Sequence, residues 1–261
     1  MLRELIDRYF IKQPRLRRFV TRMLVRNSQE RVVLFGSHVT VHRRLEHGYW
    51  RAARLSRSSS LLQDELPVFI ALAHFAGSGC TFVDAGANVG IYSIAMARFT
   101  RVYPDFHVVA FEVARDTFSR LDANAKEHGF TAHAVGLGDC EGEATFVAGA
   151  VSHVTTRAEL ANAYSIPGET FSAPVRRLDS YDLQGDLIVK IDVEGQELAV
   201  LTGATRFFDE SRVAAVYLDG YADARCWEFL ESRGFDLFDG RTLERASRNT
   251  YALLAARRRD R

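Results

Sequence analysis

The chain has 261 residues, of which 47% are hydrophobic and 26% charged, and its formal net charge is +1. This composition is typical of a globular protein that buries a full core in one large domain or two small ones. The balanced charge gives no overall attraction for nucleic acid, and the absence of a long apolar run predicts no membrane span and no cleaved signal peptide. Three widely spaced cysteines favour a reduced, cytoplasmic setting.

Residues 1–60 are predicted to form an N-terminal extension. Apolar residues recur at helical spacing before Pro14, and five arginines crowd residues 15–26. Such a basic helix can lie peripherally on an anionic membrane or a glycolipid, although the alternative is a solvated face on a helix that packs across the domain. A β-hairpin is predicted around Gly36-Ser37, and the polar residues 54–60 are predicted to be a linker.

Residues 61–256 are predicted to form one α/β domain, after which residues 257–261 form a frayed basic tail. A helix over residues 61–75 leads into it. The predicted strands of its sheet are residues 81–85, 107–111, 131–135, 186–192 and 213–218. The predicted helices between and after them are residues 91–98, 117–128, 196–208 and 226–233. Further strands are predicted at residues 143–148 and 173–178, around a polar segment, and at 234–238 and 250–254, as a hairpin-like pair. The alternation predicts a Rossmann-like, doubly wound and mostly parallel sheet.

A glycine-bearing turn follows the first strand of this sheet and contains Gly86, Ala87, Asn88 and Gly90. A strand, a turn and a helix in this order form the opening unit of nucleotide-binding α/β sheets. The spacing lacks the middle glycine of the dinucleotide fingerprint, which disfavours NAD. Asp84 at the strand end suits a ligand that carries positive charge, and S-adenosylmethionine has a sulfonium, an ammonium and no phosphate. The turn therefore predicts an S-adenosylmethionine site, with a ligand-free turn as the alternative.

Three further positions are candidates for cofactor binding. Glu112 lies 22 residues beyond Gly90, at the end of the next strand, where an acidic residue can accept hydrogen bonds from ribose hydroxyls. Gly138 and Asp139 follow the third strand, where an acceptor could meet the adenine amino group, although Gly-Asp is also ordinary turn chemistry. Glu65, on the helix before the first strand, is predicted to face the mouth of the cofactor site.

The catalytic candidates lie in a second stretch, from Leu187 to Gly195. Side chains of a strand alternate between its faces, so Lys190, Asp192 and Glu194 are predicted to share one face at its carboxyl end. A buried lysine needs a partner, and the two carboxylates are the nearest candidates. The stretch is either an active-site floor or a structural charge cluster. His153, in the polar segment, is a second candidate for the catalytic base if that segment covers the site.

Several of these runs together resemble the FkbM family of S-adenosylmethionine-dependent methyltransferases, over about residues 65–221. The matching runs are Val83-Asp-Ala-Gly-Ala-Asn-Val-Gly90, Ala110-Phe-Glu112, Arg177-Leu-Asp-Ser180, Lys190-Ile-Asp-Val-Glu-Gly195 and Val200-Leu-Thr-Gly-Ala204. The family usually has proline after the ribose glutamate, and here Val113 stands there instead.

The resemblance implies a class I methyltransferase fold and methyl transfer to a hydroxyl of a sugar, glycolipid or secondary-metabolite acceptor. Asp192 and Glu194 would then align the acceptor or accept its proton, or hold Mg²⁺, and no metal is assigned. A nucleic-acid substrate is disfavoured, because the chain lacks the Asp/Asn-Pro-Pro-aromatic run and the Pro-Cys nucleophile of DNA methyltransferases. The rival functions are an NAD(P)-dependent oxidoreductase and a catalytically inactive, membrane-associated scaffold.

Overall fold

The computed structural model describes residues 23–55, 60–149, 155–163 and 168–257. The predicted basic helix at the N-terminus, His153 and the predicted tail lie outside these residues or almost entirely so. The chain divides into two compact units, residues 1–63 and 64–261. The predicted functional domains, residues 1–60 and 61–256, stay a prediction.

The first unit contains the predicted hairpin, which is confirmed. Strands β1 (Gln29–Leu34) and β2 (Ser37–His42) pair antiparallel. Phe35 and Gly36 between them both have positive φ, 48° and 73°, as a type I′ hairpin turn requires. Helix α1 (His47–Leu55), which the sequence analysis missed, follows. The predicted linker therefore begins too early, because Arg54 belongs to α1 and donates to Glu30 of β1 at 3.0 Å.

The second unit contains a seven-stranded sheet and a smaller four-stranded sheet. The strands of the smaller sheet lie between the third and fourth strands of the larger sheet in the sequence. The strands of the second unit are β3 (Thr81–Ala85), β4 (His107–Phe111), β5 (Thr131–His133), β6 (Gly136–Leu137), β7 (Gly142–Gly149), β8 (Thr155–Arg157), β9 (Gly168–Arg176), β10 (Leu187–Ile191), β11 (Val213–Leu218), β12 (Phe235–Asp239) and β13 (Leu253–Arg257). Its helices, together with the one that leads into it, are α2 (Ser60–Ala73), α3 (Ile91–Ala97), α4 (Arg115–His128), α5 (Ala158–Ala163), α6 (Glu197–Thr202), α7 (Thr205–Asp209) and α8 (Arg225–Ser232).

The larger sheet has the strand order β12-β13-β11-β10-β3-β4-β5. Neighbours from β11 to β5 are parallel, and β13 runs antiparallel to both β11 and β12. The predicted doubly wound, mostly parallel sheet is confirmed. The chain moves outward from β3 in one direction and then returns to β10 on the other side. The crevice at the carboxyl ends of β3 and β10 is therefore a topological switch point, where α/β sheets bind ligands.

The smaller sheet has the order β6-β9-β7-β8. The third strand of the larger sheet was predicted over residues 131–135, but it ends at His133. The next residues, Gly136–Leu137, pair with β9 in the smaller sheet. The predicted polar segment also has regular structure, because β8 pairs with β7 and α5 follows β8 directly.

The helix predicted over residues 196–208 is interrupted. It forms α6 and α7, separated by Gly203 and Ala204. A Cβ on Gly203 would lie 1.9 Å from the carbonyl oxygen of Gly138, so only glycine permits this close approach. Val200, Leu201 and Phe207 are buried in the main hydrophobic core together with strand residues such as Ile191. No helix within the described parts of the chain is both long and apolar enough to cross a membrane.

Candidate active site

A row of three polar side chains crosses the centre of the larger sheet near its carboxyl edge. Asp84 of β3 and Tyr217 of β11 are the register partners of Lys190 of β10. Partners on neighbouring parallel strands project on the same face of the sheet. All three are buried, which is unusual for an aspartate and a lysine unless they are paired.

Lys190 holds this row together. Its Nζ donates to the carbonyl oxygen of Gly86 at 2.9 Å and lies 3.2 Å from Asp84 Oδ1 and 3.5 Å from Asp192 Oδ2. The predicted pairing with Asp192 is confirmed, and Asp84 is a partner that the sequence analysis did not assign. The lysine therefore ties the ends of β3 and β10 to the glycine-bearing turn.

Asp84 is completely buried, and its predicted contact with the cofactor stays a prediction. Its Oδ2 accepts hydrogen bonds from Ser93 Oγ at 2.7 Å and Ser93 N at 3.2 Å, while Oδ1 faces Lys190. The positive charge that Asp84 meets is that of Lys190. Asp84 thus fixes α3 and the lysine from beneath the site.

The shared-face prediction for Glu194 is wrong, because β10 ends at Ile191. Asp192 and Glu194 lie in the following turn, and Glu194 has a positive φ of 50°. Strand alternation therefore does not apply beyond the end of β10. Both carboxylates nevertheless remain at the carboxyl edge of the strand.

The glycine-bearing turn closes against β4 and β10. The amides of Gly86 and Ala87 donate to the carbonyl oxygen of Phe111 at 3.0 and 2.9 Å. A Cβ on Gly86 would lie 1.9 Å from the carbonyl oxygen of Asp192, so glycine is required where the turn meets the end of β10. Gly90 has a positive φ of 85° and immediately precedes α3.

Glu112 and Asn88 face each other across this turn. The Asn88 amide donates to Glu112 Oε2 at 2.9 Å, and the Ala114 amide donates to Oε1 at 2.8 Å. Burial raises the pKa of Glu112, although the two amide hydrogen bonds oppose this effect. Each carboxylate oxygen has a second lone pair and can accept another hydrogen bond. The side-chain oxygen of Asn88 is buried without a hydrogen-bond partner, which leaves acceptor capacity on both sides of the turn.

A second group of carboxylates lies near Lys190 and Tyr217. Glu65 of α2 accepts a hydrogen bond from Tyr92 Oη, and the Tyr92 ring stacks on Phe69 at 4.2 Å between centroids. Burial raises the pKa of Glu65 to about 7 against the hydrogen bond from Tyr92, and Asp219 raises it further. The prediction placed Glu65 at the mouth of the cofactor site, and the structure places it among these charged groups.

Asp192, Glu194 and Asp219 complete the group. We call the four residues Glu65, Asp192, Glu194 and Asp219 the acidic cleft. Burial raises the pKa of Asp192, against the effect of Lys190. Glu194 is an exposed residue, but nearby protein atoms reduce the hydration of its carboxylate. This effect, followed by the charges of Asp192, Glu197 and Asp219, raises its pKa to about 7. Tyr217 Oη lies 3.2 Å from Asp219 Oδ1 and donates to it.

Three residues of this region were missed by the sequence analysis: Tyr92, Tyr217 and Asp219. Asp219 could have been identified from the sequence, because it directly follows β11, a strand that was predicted correctly. That strand pairs with β10, which Asp192 directly follows. The Asp219 amide donates to the carbonyl oxygen of Ile191 at 3.0 Å. The two tyrosines had no such signal, since an apolar helix and strand contain tyrosine for packing as often as for chemistry.

Gly138 and Asp139 are not at the end of a strand of the larger sheet. They follow β6, where the Gly138 amide donates to the carbonyl oxygen of Arg176 at 3.0 Å. The Asp139 side chain is exposed, and its backbone carbonyl accepts from Arg177 at 2.8 Å. Their contact with adenine stays a prediction, and so does the role of His153, which lies outside the described residues.

The buried Cys226 offers no thiolate, and the described residues offer no obvious metal site. Burial raises the pKa of the Cys226 thiol to about 12, so it stays protonated at neutral pH. Within the part of the chain that the structure describes, no three His, Cys, Asp or Glu side chains are grouped to hold a metal ion.

Comparison with known proteins gives a family and several similar folds. Residues 84–237 match the family described as the methyltransferase FkbM domain. A protein named methyltransferase 1, from Beauveria bassiana, is 30% identical over 183 aligned positions, which cover 59% of this chain and 71% of that protein. A TehB-like S-adenosylmethionine-dependent methyltransferase from Corynebacterium glutamicum is 11% identical, with a TM-score of 0.41, over 80% of this chain and 96% of that one. A tRNA (uracil-54, C5)-methyltransferase from Pyrococcus abyssi, in complex with S-adenosyl-L-homocysteine, is 13% identical, with a TM-score of 0.44, over 87% of this chain and 43% of that one.

Proposed function

Because this chain belongs to the FkbM family and is an S-adenosylmethionine-dependent methyltransferase, we propose that it methylates a hydroxyl oxygen of a sugar, glycolipid or secondary-metabolite acceptor. The acidic cleft is the observation that supports a hydroxyl acceptor. A hydroxyl must lose its proton as the new carbon–oxygen bond forms, and a carboxylate with a pKa near neutrality is suited to accept it. Glu65 and Glu194 both have such a pKa.

The cofactor belongs, in this proposal, between the glycine-bearing turn and Glu112. The residues fit it, because Glu112 can accept hydrogen bonds from ribose hydroxyls and Asn88 has a buried side-chain oxygen without a partner. Gly86, Ala87 and Gly90 let the backbone approach the ligand, and Glu65 faces the same crevice from α2. When bound, S-adenosylmethionine supplies an electrophilic methyl carbon on a sulfonium.

Asp192 and Glu194 are the proposed groups that orient the acceptor hydroxyl and accept its proton. Lys190 pairs with Asp192 and holds that carboxylate toward the centre of the sheet. Glu194 is the more exposed of the two and has a pKa of about 7, so a large fraction is ionised at neutral pH. We assign proton acceptance to Glu194 and alignment to Asp192, which together lower the entropic and electrostatic cost of transfer.

Tyr251 is the proposed rim of the acceptor site. It immediately precedes Ala252 and β13, whose first residue Leu253 pairs with Leu218 at the carboxyl end of β11. The Tyr251 side chain is 63% exposed, and its hydroxyl oxygen would lie 3.0 Å from a Cβ on Gly220. Partial burial and the nearby charges of the acidic cleft raise its pKa. An exposed ring beside hydrogen-bond-accepting carboxylates suits a neutral, hydroxylated acceptor, because the ring can stack on the apolar face of a sugar.

The same charges argue against nucleic acid as the acceptor. Four carboxylates and one lysine would repel a phosphate backbone that entered the cleft. None of the three cysteines follows a proline, so the sequence also lacks the Pro-Cys nucleophile used for methylation of cytosine at C5. We therefore propose a small or glycolipid acceptor in the cytoplasm.

The basic N-terminal residues are proposed to bring the enzyme to an anionic membrane. Co-sedimentation with vesicles of phosphatidylcholine and phosphatidylserine tests this, with full-length protein compared with a variant that lacks residues 1–27. Salt-sensitive binding of the full-length protein alone is expected. Equal binding of both proteins would remove these residues as the membrane contact.

Two measurements test the proposed function. Calorimetric titration with S-adenosylhomocysteine, beside NADPH as a control, is expected to show binding of the former alone. Methyl transfer from labelled S-adenosylmethionine is then assayed with methyl hexosides, a glycolipid extract and hydroxylated polyketides, in parallel with amines and thiols. An O-methylated product confirms the proposal, and transfer to nitrogen, sulfur or carbon acceptors alone would contradict it.

A further inference from the structure

The turn that carries Glu194 is held by a residue of the smaller sheet. Thr156 of β8 donates its hydroxyl hydrogen to the backbone carbonyl of Glu194 at 2.8 Å. Thr156 is only 3% exposed, so the donor side of this hydrogen bond is buried, while the bond as a whole is partly buried. The segment of the chain that contains β8 therefore touches the proposed catalytic turn directly.

The turn needs such support, because its backbone is in an uncommon conformation. Glu194 and Gly195 have consecutive positive φ values, 50° and 93°. A left-handed conformation is unfavourable for a residue with a long side chain and persists only when its surroundings impose it. Among the described residues, Thr156 is the side-chain donor to the Glu194 carbonyl, and loss of this hydrogen bond favours relaxation of the turn.

Other hydrogen bonds fix the two sides of the turn. The Asp192 amide donates to the carbonyl oxygen of Ala85 at 3.0 Å, and the Gly195 amide donates to Glu197 Oε1 at 2.8 Å. Leu160 of α5 lies against Gly195, where a Cβ would be 2.9 Å from its Cδ1. Thr156 therefore holds the peptide between these two anchored points.

We propose that Thr156 is a positioning residue for methyl transfer, whose hydroxyl holds the Glu194 peptide in the conformation that keeps the Glu194 carboxylate within the acidic cleft. This inference rests on the proposed function for the importance of Glu194. It links the smaller sheet to the chemistry, because the Thr156 hydrogen bond joins β8 to the Glu194 turn and Leu160 of α5 lies against Gly195. An acceptor that contacts β8 or α5 acts on the same turn.

Carbon-13 NMR titration of protein labelled at the glutamate side-chain carboxyl carbon tests the positioning role. The Glu194 signal is identified by its loss in Glu194→Gln, and it is expected to titrate near pH 7 in the wild type. The charged groups around it are Asp192, Glu197, Asp219 and Lys190. In Thr156→Val the turn relaxes toward water, and the midpoint is expected to fall by about one pH unit or more. Thr156→Ser keeps the donor and should restore the wild-type midpoint.

Thr155→Val is the matched control, because it makes the same change on the opposite face of β8. It should leave the Glu194 midpoint unchanged. An unchanged midpoint in Thr156→Val, or an equal fall in Thr155→Val, would overturn the proposal. Thr156→Ala also removes the hydroxyl and replaces the valine variant if that variant does not fold. The titration needs no acceptor, so a negative titration would overturn the role of Thr156 and leave the proposed methyl transfer standing. A negative transfer assay, in turn, would not decide the role of Thr156.

Discussion

Glu112 is the residue whose contribution to cofactor affinity is easiest to isolate. Glu112→Gln keeps the shape of the side chain but weakens its acceptance of hydrogen bonds from the Asn88 and Ala114 amides and from a bound ribose. We expect affinity for S-adenosylhomocysteine to fall by about 1–3 kcal/mol, the range for a buried polar group that loses its partner. Calorimetry measures this change.

A matched control for Glu112 is Glu143→Gln. Glu143 is exposed on β7, where it accepts a hydrogen bond from Ser172, and its replacement should leave the affinity as it is. If Glu112→Gln bound S-adenosylhomocysteine as tightly as the wild type, the ribose role of Glu112 would be wrong.

Asp192 should separate binding from turnover. Asp192→Asn removes a charge that orients the acceptor and pairs with Lys190, and this role belongs to the transition state. We expect the dissociation constant of S-adenosylhomocysteine to change little while kcat falls by about 10²-fold, the scale of a lost proton-transfer or alignment group. Asp182→Asn, an exposed change before β10, is the control. Normal turnover in Asp192→Asn would move the role to another carboxylate.

The partners of Lys190 show how far residue-level prediction reached. A lysine in an apolar strand must be paired, and Asp192 was found because it is two residues away. Asp84 is distant in sequence and becomes a neighbour only because β3 and β10 are adjacent in register. No local pattern contains that adjacency. For the same reason, the positive charge expected near Asp84 was attributed to a ligand.

At the scale of elements, β3 and β10 are joined by a buried ion pair whose loss should cost stability. Asp84→Asn removes the carboxylate that lies 3.2 Å from Lys190 Nζ, and it weakens the hydrogen bonds from Ser93. We expect the free energy of unfolding to fall by about 3–5 kcal/mol, the usual result of removing one member of a buried pair. Urea denaturation measures it.

The double variant Asp84→Asn with Lys190→Met separates the pair from general damage at this position. Because the double variant also removes the lysine charge that has lost its buried partner Asp84, much of the lost stability should return. A double variant no more stable than Asp84→Asn alone would show that the charge pair is not the source of the loss.

Element prediction succeeded where a strand is buried on both faces and failed where tertiary contacts decide. Strands β4 and β11 were predicted at both ends, because each is a short apolar run between polar turns. The break between α6 and α7 depends on the approach of Gly203 to Gly138, a contact between distant residues. The pair β8–α5 lies in a polar segment and gave no clear apolar period. Helix α1 is amphipathic and was missed because its last residues were assigned to the polar linker.

At the scale of the whole molecule, the order of the strands creates the site. The chain places β10 beside β3 only after it has built β4 to β9, which brings Glu112, Asp192 and Asp219 to one edge. The sequence predicted that strands and helices alternate, and hence that the carboxyl ends share an edge. It could not predict that the segment between β5 and β10 would form a separate sheet and support the Glu194 turn.

The acidic cleft should also make the stability of the protein depend on pH. Burial raises the pKa of Glu65 from an ordinary value of about 4.5 to about 7, so between these values the folded state binds more protons than the unfolded state. Stability contributed by this group is therefore present below pH 4.5 and is lost as the pH rises to about 7. In Glu65→Gln that loss disappears, and the variant should gain roughly 1–3 kcal/mol on the wild type between pH 5 and pH 8. Urea unfolding of both proteins at pH 5 and at pH 8 gives the change in the free energy of unfolding for each. The contributions of the other carboxylates largely cancel when the two changes are subtracted. If the wild type and the variant changed in parallel, Glu65 would not be the buried carboxyl that holds a proton near neutrality.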